Sequence, residues 1–207
     1  MIPRLRRMQL IIFDKDGTLY CGKELCERWT SGVLDGVRRV APDLEQELET
    51  YLKKNVHEQT WSALQKRVEY ELIMRGVDVD VASWMPKPLP QRLYPNVQTT
   101  LQALPCATAL LTADSRRNTE YLLRRDNLYF DAVVCGDDFP GKPDPCGAWH
   151  ILKTLGVAPE ETVIVGDTEV DMQLKVTAGL GMSVGMTTLQ KTLPGADIMI
   201  NSVQELV

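Results

Sequence analysis

Leu10, Ile11, Ile12 and Phe13 form an unbroken apolar run that stops at two acids, in "LIIFDKDGTLY" (10–20). Four apolar residues without polar alternation predict a strand buried on both faces. From about residue 22 the period changes. "KELCERWTSGVLDGVRRV", "DLEQELETYLKKN" and "EQTWSALQKRVEYELIMRG" place apolar residues three and four apart, the spacing of amphipathic helices. The proline-rich "WMPKPLPQRLYPN" (84–96) cannot continue a helix and reads as a connector. Beyond it, strands and helices alternate. "CATALLT" (106–112), "DAVVCG" (131–136), "TVIVGD" (162–167), "GMSVGM" (181–186) and "ADIMI" (196–200) read as strands. Residues 115–128, 144–156 and 169–179 read as helices, the first with Asp114 or Ser115 as its cap. Such alternation predicts an α/β fold, a Rossmann-like doubly wound parallel sheet covered by helices on both faces. The expected division is a core of residues 1–20 and 93–207 interrupted by a helical insertion, 21–92, with a hinge at each end.

Composition narrows the partners. The chain is 44% hydrophobic and 25% charged, ordinary for a soluble domain with a core. Its net charge of −5 argues against nucleic acid, which needs a basic face. No apolar stretch reaches the roughly 20 residues that cross a bilayer, so no membrane partner is expected. The arginine-bearing start, "MIPRLRRMQL", reads as a solvated arm, because the apolar run after it is too short for a signal peptide. Five cysteines, an odd number, fit reduced thiols and a cytoplasmic location. Cys106 and Cys135 sit in apolar runs as small core residues. His57 and His150 have no partner at a metal spacing. Trp29, Trp61 and Trp84 fall in the insertion and read as its core. Arg116, Arg117, Arg124 and Arg125 read as a solvated helix face.

Chemistry gathers at four strand ends. Asp14 and Asp16 follow the first strand. Thr112 follows the second, in "ALLTADS". Lys142 lies in "PGKPDP", soon after the third. Asp167 and Asp171 follow the fourth, in "VIVGDTEVDM". Singly, each has a bland explanation as a turn, a cap or a solvated loop. Together, on strand ends that share one edge of a parallel sheet, they can converge. A carboxylate can be a nucleophile toward phosphorus. A lysine, a hydroxyl and a divalent ion can neutralise a phosphate. Magnesium takes oxygen ligands, typically one or two carboxylates together with phosphate and water. A second carboxylate near the nucleophile can serve as general acid and then base, worth about 10²–10⁴-fold.

The order DxDGT, Thr after a strand, Lys in GKPDP and GDxxxD resembles the haloacid dehalogenase superfamily. The likeness is to its phosphatase branch with a helical cap inserted after the first motif, which includes the phosphoglycolate phosphatases. "LYPNVQTTLQAL" resembles the return from cap to core, and "ADIMINSVQEL" the closing strand and helix. The resemblance implies a Mg²⁺-dependent phosphatase that acts on a small phosphorylated metabolite, with no nucleotide cofactor, as a monomer or weak homodimer. It implies Asp14 as nucleophile and Asp16 as acid and base, the Asp16 backbone carbonyl also binding the metal. Thr112, Ala113 and Lys142 would hold the phosphate, and Lys142 would also shield Asp14. Asp14 and Asp167 would ligate Mg²⁺ directly, with Asp171 supporting them through water or Lys142. Two residues depart from the pattern of the capped phosphatases. Lys15 stands where they have an apolar residue, and "LYCG" follows DGT where an acid and a serine are usual. P-type ATPases, distant relatives, carry DKTGT. Asp16 where they have the first threonine of DKTGT implies prompt hydrolysis of the phosphorylated aspartate, and it disfavours the dehalogenases. The alternatives are a phosphomutase of the same superfamily and a non-enzymatic binding module of the same fold.

Overall fold

A computed structural model describes residues 7–55, 61–84, 91–188 and 191–207, without the side chains of residues 61 and 62. The start of the N-terminal arm, His57, the Trp61 indole and residues 85–90 of the proline-rich connector therefore lie outside the described residues. The chain divides into two compact units, with boundaries at Gly22/Lys23 and Leu89/Pro90.

The larger unit is built on six parallel strands: β1 (Leu10–Phe13), β2 (Ala107–Leu111), β3 (Ala132–Val134), β4 (Thr162–Gly166), β5 (Met182–Met186) and β6 (Ile198–Ile200). Their order across the sheet is β3-β2-β1-β4-β5-β6. The connections run outward in both directions from β1 and β4, which makes the sheet doubly wound with its switch point between those two strands. Helices α4 (Val97–Ala103), α5 (Arg116–Arg125), α6 (Cys146–Leu155) and α7 (Glu169–Ala178) belong to this unit. Strand period explains how a four-residue apolar run serves two cores. Ile11 and Phe13 join Leu110, Val163 and Val165 in one hydrophobic cluster. Leu10 and Ile12 join Ala109, Ile164 and Leu174 in the other. The helix expected after β6 is a short 3-10 turn, Val203–Leu206.

The smaller unit is helical. It holds nearly all of α1 (Gly22–Val40), with α2 (Glu45–Asn55) and α3 (Trp61–Ile73). Val33 and Val37, Leu48 and Leu52, and Leu64, Val68 and Leu72 supply its core at helical spacing, around Trp29. Trp84 packs against the same cluster, and its ring occupies the space a side chain at Gly36 would need. The stretch read as one helix from residue 43 begins instead as a 3-10 turn, Pro42–Leu44, with Pro42 setting the first φ. Among the described residues no helix is long and apolar enough to cross a membrane.

Candidate active site

β1 and β4 pair in register Phe13↔Val165, so the residues that leave their carboxyl ends emerge side by side. Asp14 continues the ladder, its N–H bonding the Val165 carbonyl at 2.8 Å. Asp167 leaves β4 one residue after its end. The turn from β4 into α7 then brings Asp171 back beneath both. One carboxylate oxygen from each of Asp14, Asp167 and Asp171 lies within 4.8 Å of the others. Two close approaches demand glycine. A side chain at Gly17, whose φ is +85°, would collide with the Asp167 carboxylate. One at Gly166 would collide with that of Asp171.

Three buried carboxylates need compensation, and only part of it comes from protein. Lys142 reaches in from the loop after β3. Its Nζ lies 2.5 Å from Asp14 Oδ1 and 2.5 Å from Asp171 Oδ1. Burial alone would push the Lys142 pKa down, but the two carboxylates outweigh it and hold the ammonium charged. Asp171 is fully satisfied, since its Oδ2 accepts from the Thr168 N–H and, at 2.6 Å, from the Thr168 hydroxyl. Asp167 is not. Both of its oxygens are buried without a hydrogen-bond partner among the described residues. Burial raises its pKa well above the usual carboxylate range, and Asp14 and Asp171 add to the rise. Burial likewise pushes Asp14 up to about 7, against Lys142 and with Asp171 and Asp16 adding to it. One ammonium among three carboxylates leaves two negative charges uncompensated. A small divalent cation with oxygen ligands answers both the charge and the orphaned Asp167 oxygens. The residues therefore fit a magnesium ion.

The remaining expected site residues sit around this cluster. Thr112 is buried directly after β2, the neighbour of β1. Its hydroxyl accepts from the Asp114 N–H at 3.1 Å, which leaves its own proton to donate. Ala113 is exposed at the same edge. Asp16 stands apart, outside the carboxylate cluster. Its Oδ1 accepts from Lys15 Nζ and from Gln91 Nε2, both at 2.8 Å. Lys15 is wholly buried, 2.8 Å from Asp114 Oδ2 as well. Burial opposes its charge, but Asp16 and Asp114 hold its pKa above the ordinary value.

The geometry fits the comparisons. The haloacid dehalogenase-like hydrolase model matches residues 8–174. The chain belongs to the haloacid dehalogenase-like hydrolases. A phosphoglycolate phosphatase of Aquifex aeolicus (strain VF5) is 29% identical to it over 97% of this chain and 95% of the relative. One from Pseudomonas syringae pv. tomato is 27% identical over 83% of this chain and 67% of the relative. Among solved structures, a predicted phosphoglycolate phosphatase from Haemophilus somnus 129pt superposes with a TM-score of 0.73 at 20% identity, covering 97% of this chain and 96% of that one. The last likeness speaks to the fold. Sequence reasoning missed Gln91, Asp114 and Thr168 as partners of site residues. A signal for one of them, Asp114, was present. A lysine set between two aspartates in an apolar turn cannot be buried without acceptors, and "TADS" carries one.

Proposed function

We propose that this hydrolase cleaves a small phosphomonoester through an aspartyl phosphate on Asp14, with magnesium as cofactor. The observation that carries the reading is the meeting of Asp14, Asp167 and Asp171 at the β1/β4 switch point, with Lys142 bonded to two of them. Asp14, Asp167 and the Asp16 backbone carbonyl would hold the ion, with Asp171 supporting them through Lys142. Bound there, magnesium supplies positive charge that keeps the carboxylates ionised and draws in the phosphate.

The protein's own groups do the rest. An Asp14 oxygen attacks phosphorus as the ester P–O bond breaks. The Asp16 carboxyl gives its proton to the leaving oxygen, so that the alcohol departs neutral. Asp16, now a carboxylate, takes a proton from water as that water attacks the phosphorus of the aspartyl phosphate. Inorganic phosphate leaves and Asp14 is regenerated. Lys142 spends two of its three N–H donors on Asp14 and Asp171, and the third is available to a phosphate oxygen. The Thr112 proton and the backbone at Ala113 serve the other oxygens. Losing one such donor costs about 10²–10³ in turnover.

The relatives' names support a small anionic substrate, and 2-phosphoglycolate is our first candidate. The test is phosphate release from 4-nitrophenyl phosphate and from a panel of alkyl phosphates, with and without metal. We expect activity with Mg²⁺, little with Ca²⁺, which prefers more ligands and longer bonds, and none in excess EDTA. Full activity in EDTA would refute the metal assignment. No hydrolysis of any ester would favour a binding module.

A further inference from the structure

Lys15 is 0% exposed, sits between the two motif aspartates, and has no place in the mechanism above. Its ammonium has three N–H donors, and three acceptors surround it: Asp16 Oδ1 at 2.8 Å, Asp114 Oδ2 at 2.8 Å and Gln91 Oε1 at 2.9 Å. The Tyr20 ring lies beside it, 5.6 Å from Nζ to the centroid. Nothing is left to touch a substrate, so Lys15 can act only through its partners.

Two of those partners do not depend on it. Asp114 also accepts from the Ser115 N–H at 2.7 Å and from Asn118 Nδ2 at 2.5 Å. Gln91 is held through its backbone, whose carbonyl accepts from Arg125 Nη2 at 2.6 Å. Asp16 is the exception. Lys15 and Gln91 bond each other and both donate to the same Asp16 oxygen, which closes a three-membered ring. Asp16 Oδ2 has no protein hydrogen bond among the described residues, and it is not among their buried unpartnered atoms. One oxygen is anchored and the other presented.

We propose that Lys15 is a positioning residue: it fixes the Asp16 carboxyl by Oδ1 so that Oδ2 exchanges the proton with the leaving oxygen and the attacking water. This rests on the reading of Asp16 as acid and base. Asp114 and Gln91 in turn hold the ammonium, which ties the edge of β2 and the returning connector to the first motif.

The experiment uses leaving groups. 4-Nitrophenolate departs without a proton, whereas an alkoxide needs one. The ratio of kcat/KM for the best alkyl phosphate of the panel to that for 4-nitrophenyl phosphate therefore reports proton delivery. A purely structural role would lower both together. We expect the ratio to fall about tenfold or more in Lys15→Met, a part of the range general acids supply. Should that variant fold poorly, Lys15→Met/Asp114→Asn removes the charge imbalance and is expected to show the same fall. Asp16→Asn is the reference and should lower the ratio further. An unchanged ratio in folded Lys15 variants, with Asp16→Asn lowering it, overturns the proposal and leaves the Asp16 reading standing. An unchanged ratio in Asp16→Asn overturns both.

Discussion

Asp14 and Asp167 carry opposite problems at the residue scale. Asp14 has a lysine beside it, and Asp167 has no donor among the described residues. Replacing Asp14 by Asn keeps the shape and removes the nucleophile. Turnover should fall by more than about a thousandfold while the unfolding transition stays in place, and activity within tenfold of wild type would contradict the assignment. Asp167→Asn should act differently. Burial and the neighbouring carboxylates disfavour its ionised form in the metal-free protein, so the uncharged amide should raise the metal-free Tm by about 2 °C or more, the shift of roughly 1 kcal/mol at this chain length. Added Mg²⁺ should raise the wild-type Tm in a saturable way and leave the variant unmoved. Calorimetry on both, with EDTA and with Mg²⁺, decides it. A less stable metal-free variant that magnesium still stabilises would contradict the account.

Elements show how the site is braced, and what the sequence concealed. Asp197, just before β6, accepts from Lys175 of α7 at 2.7 Å and from the Ser183 N–H of β5 at 2.8 Å. Burial would raise the Asp197 pKa, but the Lys175 and Ser183 donors outweigh it and hold it below the usual carboxylate range. A depressed carboxylate stabilises above its unfolded pKa of about 3.9, and that contribution is lost as pH falls through the folded value. Asp197→Asn should therefore cost about 1–3 kcal/mol near pH 7, and the gap to wild type should close below about pH 4. Urea unfolding at both pH values measures it, and a gap that does not narrow on acidification would contradict the assignment. The strands were legible because each is a short local run, and so was the place of Asp14, Thr112 and Asp167 just past their ends. Contacts far apart in sequence were not. Arg116 and Arg125 read as part of a solvated face, and Arg125 is exposed, but both also tie elements together: Arg116 clamps Asp138 and the Val133 carbonyl, and Arg125 holds the Gln91 carbonyl. Asp114 read as a possible helix cap. Ser115 takes that role, accepting from the Asn118 N–H, and Asp114 turns to Lys15. Helical spacing could not reveal the ties to Asp138, Val133, Gln91 and Lys15, since those partners lie outside the helix.

For the whole molecule, we propose that the sheet unit carries the chemistry and that the helical unit sets selectivity among esters. All six strands and the expected site residues belong to the sheet unit. The chain leaves and re-enters it at neighbouring points, for Tyr20 bridges Leu93 and the Cys21 N–H bonds the Arg92 carbonyl at 2.8 Å. A short Gly-Ser linker in place of residues 23–89 can therefore join the two ends. That variant should fold, hydrolyse 4-nitrophenyl phosphate slowly, and lose most of its preference among alkyl phosphates. A folded variant that keeps the wild-type preference would show that the helical unit does not set specificity. The central claim is the covalent intermediate on Asp14, and rapid acid quench with a ³²P-labelled ester tests it most directly. Label should appear on the protein within one turnover, be released by hydroxylamine, map to Asp14 and build up in Asp16→Asn. An unlabelled protein in both wild type and Asp16→Asn, under conditions where the wild type releases phosphate, would contradict it.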